Sequence, residues 1–276
     1  MTFARTLILV FKHQIGWIGY LCMACVVTFY LVACKPHTPL QPRHHYTITG
    51  QGQPTIVIEA ATGQDSKSWR VIQDSLNQYT RVVTYDRLGL GQSDSATTPR
   101  DLANLTADLY RFLEAEQITP PFLFVGHGLG GQIVQYYTHQ YPDQVVGLLL
   151  VDPIHEDHPL PQDSSYTSSR LYLNGTTAVA FEEFKAYDAN NELMRHSSLP
   201  QNLQIHVIVS LNFSGEGTFD RMLQKREPFL KWQSRMPNVT ISTTNVRGRY
   251  LHTTDPQLVL SALKTLLKRT EAPKVQ

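Results

Sequence analysis

A doubly wound α/β domain on a mostly parallel sheet is the fold class that the sequence predicts, and three observations point to it. Short aliphatic and β-branched runs alternate with stretches of helical character along most of the chain. Those runs stay apolar at successive positions, as strands do when helices cover both faces of their sheet. A region without strand patterning, at about 155–200, interrupts the alternation and reads as a small helical lid inserted between two core strands.

The strands are expected at 55–60 (TIVIEA), 81–85 (RVVTY), 122–125 (FLFV), 145–151 (VVGLLLV) and 205–209 (IHVIV). Helices are expected at about 67–79, 102–116, 131–141 and 256–268. The last has the clearest start: Asp255 is placed to cap it, Pro256 suits the first helical position, and Val259, Ala262, Leu263 and Leu266 form one apolar face. Within the lid, helical segments fall around 177–194, flanked by SSYTSS and NGTT patches. No internal repeat and no second sheet are visible. Right-handed crossovers then bring the functional loops to the carboxyl ends of the strands.

The chain has 276 residues, 42% hydrophobic and 17% charged, which excludes collagen-like, coiled-coil and wholly disordered classes. The net charge is +1, and two basic residues, Arg5 and Lys12, lie in a first segment without acids, so nucleic acid is not an expected partner. Cys22, Cys25 and Cys34 all fall in one apolar stretch. The remainder therefore has no thiol for a disulfide, a zinc site or a cysteine nucleophile. No cofactor or metal site is expected.

That apolar stretch, 15–34, is twenty residues without a charge, the length needed to cross about 30 Å of hydrocarbon. Arg5 and Lys12 precede it, Trp17 and Tyr30 lie near its ends, and the positive-inside rule favours an inward N-terminus. Residues 1–34 are thus expected to be a transmembrane anchor or a lipoprotein signal segment. The second alternative comes from Leu31-Val32-Ala33-Cys34, which resembles a bacterial lipobox with Cys34 as the lipidated residue. Either way the protein is expected on a membrane with its folded domain on the outer side. Residues 35–46, with Pro36, Pro39, Pro42, His37, His44 and His45, read as a solvated semi-rigid linker, and 47–276 as the domain.

Four segments resemble the α/β-hydrolase fold family over roughly 46–268. Residues 55–63 (TIVIEAATG) look like the strand that leads into the oxyanion loop, and 85–94 (YDRLGLGQSD) like the family's Y-D-R-x-G-x-G-x-S-D turn. Residues 126–131 (GHGLGG) take the place of the nucleophile elbow, and 151–153 (VDP) end the next strand. The elbow motif is G-x-S-x-G, because a sharp strand-to-helix turn exposes the serine hydroxyl beside backbone donors. Here its centre is Gly128, which has no side chain with which to attack. Glycine also relieves a backbone strain of about 1–3 kcal/mol at such a turn.

The resemblance implies a second departure. In 246–252 (VRGRYLH) the position of the catalytic histidine, after a glycine, is taken by Arg249, whose guanidinium stays protonated near neutral pH and so cannot act as a base. His252, three residues on, and His127 are the possible substitutes. Asp152 is the first choice for the triad acid, with Glu216 or Asp220 second; Asp152 can equally be a strand-end residue that caps a turn. An Asp152–Arg249 ion pair is expected if both face the site. Backbone N–H groups of Ala61 and Leu129 remain as the oxyanion donors, beside a helix N-terminus. The resemblance thus implies a membrane-anchored hydrolase-family protein that has lost Ser-His-Asp catalysis and binds a small carbonyl-containing or anionic ligand or a partner. The alternatives are an active esterase or lipase-like hydrolase with an atypical nucleophile such as Ser93, and an envelope interaction protein.

Overall fold

The computed structural model describes residues 42–158, 178–211, 218–246 and 250–271. The expected anchor, Cys34, most of the linker, Glu216 and Arg249 lie outside the described residues. No helix among the described residues is long and apolar enough to cross a membrane.

Seven strands form one sheet in the order β1-β3-β2-β4-β5-β6-β7. They are β1 (Tyr46–Thr49), β2 (Thr55–Glu59), β3 (Val82–Tyr85), β4 (Phe122–His127), β5 (Val145–Val151), β6 (Gln204–Ser210) and β7 (Val239–Thr244). All neighbouring pairs are parallel except β1 with β3. The helices are α1 (Arg70–Leu76), α2 (Leu102–Ala115), α3 (Leu129–Gln140), α4 (Ala178–Lys185), α5 (Tyr187–Arg195), α6 (Thr218–Arg235), α7 (Leu251–Thr254) and α8 (Pro256–Glu271).

Alternation along the strands explains the two-faced core. In β4, Phe122 and Phe124 enter one apolar cluster with Leu105 and Leu109 of α2, Ile133 and Val134 of α3 and Phe229 of α6. Leu123 and Val125 enter the other, with Ile72 and Leu76 of α1 and Val259, Leu263 and Leu266 of α8. Successive side chains of a strand point to opposite faces, so a strand without a polar face needs helices on both sides. Each such aliphatic or aromatic residue contributes about 1.5–3 kcal/mol by leaving water. Asp255 accepts from Leu258 N at 3.2 Å, so the expected cap of α8 forms.

Three elements escape the apolar-run criterion. Strands β1 (YTIT) and β7 (VTISTT) lie at the two edges of the sheet and are only partly buried, so polar residues alternate through them. Helix α6 is rich in charge and carries Pro228 internally. The solvated-linker reading is also corrected at its end. His45 N donates to Ser93 Oγ at 2.8 Å and Asp86 N donates to His45 O at 2.9 Å. The His44 ring packs on Phe112 at 4.9 Å, which lowers its pKa to about 4, chiefly by burial. These residues are part of the domain because the turn at 86–94 supplies partners for their backbone.

The strand order reverses between β2 and β4: the chain leaves β2 for β3 on one side, and β4 then pairs with β2 on the other. In doubly wound folds such a switch point is where a crevice opens beyond the carboxyl ends of the strands. The first turn of α3 passes so close to the end of β2 that a Cβ on Gly130 would lie 2.3 Å from Glu59 O and 2.6 Å from Ala60 O. Gly130→Ala is therefore expected to lower the unfolding free energy by about 1–3 kcal/mol, read by urea denaturation. A loss below about 0.5 kcal/mol, the scale of an ordinary surface change, would contradict that packing.

Candidate active site

Strand β4 is buried along its whole length and ends at His127. The chain then reverses at Gly128, with φ 55° and ψ −117°, and enters α3 at Leu129. Backbone bonds pin this turn: Gly128 N donates to Val151 O at 3.3 Å, and Gly128 O accepts from Gly131 N at 3.1 Å and from Ile154 N at 3.2 Å. A Cβ built on Gly128 would lie 3.2 Å from Ala61 Cβ. The expected donor positions Ala61 and Leu129 are thus brought to the same turn as Gly128, one at the end of β2 and the other opening a twelve-residue helix.

Four rings gather beside this turn. His252, on α7, stacks on Trp69 with centroids 4.0 Å apart and an interplanar angle of 7°. The His127 ring lies 5.1 Å from that of His252, and Tyr250, half exposed, stands edge-on to His127 at 5.9 Å. Trp69 is placed by the 3-10 turn Ser66–Trp69, which Asp65 caps at Lys67 N and Asp86 anchors at Ser66 N, 2.7 Å away. His252 is fully buried, and neither ring nitrogen has a hydrogen-bond partner among the described residues. Burial, and then the neighbouring His127, lowers its pKa to about 3, so it is a neutral imidazole at physiological pH. The two suggested substitute histidines therefore do meet at the turn.

Asp152 is engaged elsewhere. Its φ of 44° is unusual for a residue with a side chain, though Asp tolerates it better than most. Its Oδ1 accepts from Ser210 N at 3.1 Å and is ion-paired with Lys225 of α6. These contacts fit the turn-capping alternative and tie the ends of β5 and β6 to α6. Asp220 lies within α6, while Glu216 and Arg249 lie outside the described residues. Ser93 does not have the setting of a nucleophile: its hydroxyl donates to Asp86 O at 2.6 Å and accepts from His45 N, bracing a turn.

Sequence reasoning missed the groups that hold the donor side. Arg87, buried, spends all five of its N–H donors. Two go to Glu183 of α4 at 2.8 and 2.9 Å, one to Glu59 at 2.7 Å, and two to the carbonyls of Ala60 at 2.6 Å and Ala61 at 2.8 Å. Burial raises the Glu59 carboxyl above its ordinary value, against the pull of Arg87 and of its bond from Tyr85. Arg87 stands in the quoted turn motif, which was the available signal; Glu183, ninety-six positions away, had none.

The pattern of the alpha/beta hydrolase fold family matches residues 54–250, and the chain belongs to that family. Uncharacterized protein YqjL of Bacillus subtilis is 28% identical over 156 residues, 55% of this chain and 59% of that protein. The putative carbamate hydrolase RutD of Yersinia enterocolitica is 35% identical over 115 residues, 39% of this chain and 40% of its own length. The chain thus spans about half the length of the curated relatives it matches. Among solved structures, a thermophilic esterase from Thermogutta terrifontis superposes with a TM-score of 0.59 at 16% identity, covering 86% of this chain and 97% of that one. The epoxide hydrolase CorEH gives 0.58 at 16%, covering 83% and 95%. At these identities the two structures speak for the fold.

The buried histidines give stability a sign with pH. His252 falls from its ordinary value of 6.5 to about 3 on folding. Between those values the unfolded chain binds a proton that the fold rejects, so stability is lost as pH falls through that window. His155, also about 3, and His206, about 4, act in the same direction. Melting temperature is expected to drop from about pH 6.5 towards about pH 4, and His252→Phe to flatten that slope by up to ~1.4 kcal/mol per pH unit. An unchanged slope in the variant would remove His252 from this account.

Proposed function

We propose that this protein is a membrane-anchored member of the alpha/beta hydrolase fold family that has lost Ser-His-Asp catalysis and binds a small carbonyl-containing or anionic ligand. The observation that carries the reading is Gly128. It occupies the positive-φ turn between β4 and α3, against Ala61, and provides no hydroxyl there. The alignment of Arg249 with the family's histidine adds a second loss. In a serine protease, removing the serine or the histidine costs about a millionfold in turnover, and the residual catalysis by the oxyanion donors is about 10³–10⁴ over water.

What supports ligand binding is the donor side. Ala61 and Leu129 lie at the turn beside the N-terminal end of α3, where backbone N–H groups and the helix dipole favour negative charge. A relative named as a putative carbamate hydrolase makes a carbonyl compound the natural choice of ligand. The neutral imidazole of His252 adds no positive charge to this region, whereas the cation of Arg249 is part of the proposal. The first 34 residues serve as the anchor, and the domain acts on the outer side of the membrane.

The test is the pair of substitutions Gly128→Ser and Arg249→His. The serine at φ 55° carries a strain of about 1–3 kcal/mol, and Ala61 must give slightly to its Cβ. Hydrolysis of 4-nitrophenyl butyrate by the double variant, at least about 10³-fold above the parent, is the expected outcome. Turnover by the parent, together with covalent labelling of any of its serines by a fluorophosphonate, would defeat the reading.

A further inference from the structure

We propose that Arg87 and Glu183 are positioning residues for the backbone donors of the 61–63 loop, so that helix α4 holds the Ala61 side of the donor pair while the elbow holds Leu129. The inference rests on the ligand reading above only for what those donors meet.

The geometry begins with the peptide plane. In a trans peptide the C=O and the following N–H point in opposite directions. Arg87 Nη1 holds Ala60 O at 2.6 Å and Arg87 Nη2 holds Ala61 O at 2.8 Å. The N–H groups of Ala61 and Thr62 therefore face away from the guanidinium, and Ala61 itself lies against Gly128. Glu183 supplies the third point. Its Oε2 accepts from Gly63 N at 3.0 Å while both its oxygens accept from Arg87. The next peptide group of the loop is thereby fixed from the opposite polarity, with its donor turned towards the lid.

Side chains of α4 also pack directly on glycines of the loop and the turn. A Cβ on Gly63 would lie 2.6 Å from Ala180 Cβ, and one on Gly89 would lie 2.6 Å from Val179 Cγ2. Helix α4 thus rests on both the 61–63 loop and the turn that carries Arg87. The pair is buried and linked by two charge-assisted bonds, the strong class of hydrogen bond, and Glu59 shares the same guanidinium. Removing Glu183 leaves two buried N–H donors of Arg87 without this partner, and it releases Gly63 N, which lies at an exposed residue.

The experiment compares the full chain with Glu183→Gln and Arg87→Lys, using amide hydrogen exchange and titration with n-butylphosphonate, a tetrahedral oxyanion probe. Glu183→Gln is expected to speed exchange in 60–64 and in α4 together by about tenfold or more, with α8 unchanged, and to weaken the phosphonate by about tenfold, the effect of losing one charge-assisted bond. Arg87→Lys retains the charge but loses the fork, so it is expected to loosen 60–62 more than α4. Release of α4 with the loop unchanged, or a rise in exchange that includes α8 in both variants, would overturn the proposal. So would unchanged phosphonate affinity in a variant whose loop has loosened. If the parent itself binds no phosphonate, the ligand reading fails, and the exchange pattern alone decides whether these residues position the loop.

Discussion

The close approach of α3 to the end of β2 is the constraint on which the site depends. With Glu59 O and Ala60 O this near to Gly130, the helix can begin only by a sharp reversal, and Gly128 makes it at positive φ. That reversal sets Ala61 against Gly128 and brings Leu129, the first residue of α3, to the same place. It also lies at the switch point of the sheet, where a doubly wound fold opens its crevice. The site is therefore a consequence of strand order and of the space between two backbones, and no catalytic side chain is needed to maintain it.

The charged groups nearby obey a different constraint. A guanidinium taken out of water destabilises the fold unless its donors are met and its charge is balanced. Arg87 satisfies this with two carboxylates and two carbonyls, drawn from β2, the loop after it and helix α4. Asp152 obeys the same rule on the other side of the turn, where Lys225 and Ser210 N meet its carboxylate at the ends of β5 and β6. A carboxylate committed in this way braces the strand ends, and its place in the chain alone could not distinguish that from service to a histidine.

The sheet was legible wherever burial on both faces leaves a run of apolar residues, as in FLFV and VVGLLLV. It was illegible at β1 and β7, where one side of an edge strand meets water and the pattern mixes Thr and Ser with Val and Ile. The turn at Gly128 was legible through the resemblance of 126–131 to the family's nucleophile elbow, where glycine suits a tight reversal and a close approach. His127 and His252 were each legible as a substitute for the missing base, whereas their meeting and the stacking on Trp69 were not, because they join residues far apart in the chain. Glu183 and Lys225 escaped for the same reason: an ion pair made across the fold has no local spacing. His44 and His45 were misread because polar residues in a Pro-rich segment look solvated until their packing and backbone partners are known.

The two halves of the site are held by separate sets of bonds. Gly128 is pinned through the backbone to Val151 and Ile154, on the β5 side, whereas Ala60, Ala61 and Gly63 are pinned through Arg87 and Glu183, on the lid side. A change of side chain at position 128 alters neither set, because every bond at that residue uses its main chain. Replacing serine by glycine there removes a hydroxyl and also relieves a backbone strain, so the fold gains no reason to rearrange. The proposed loss of chemistry and the proposed retention of the backbone donors are therefore compatible on energetic grounds: the first concerns one side chain, and the second is carried by buried charges whose release would leave several groups unpaired.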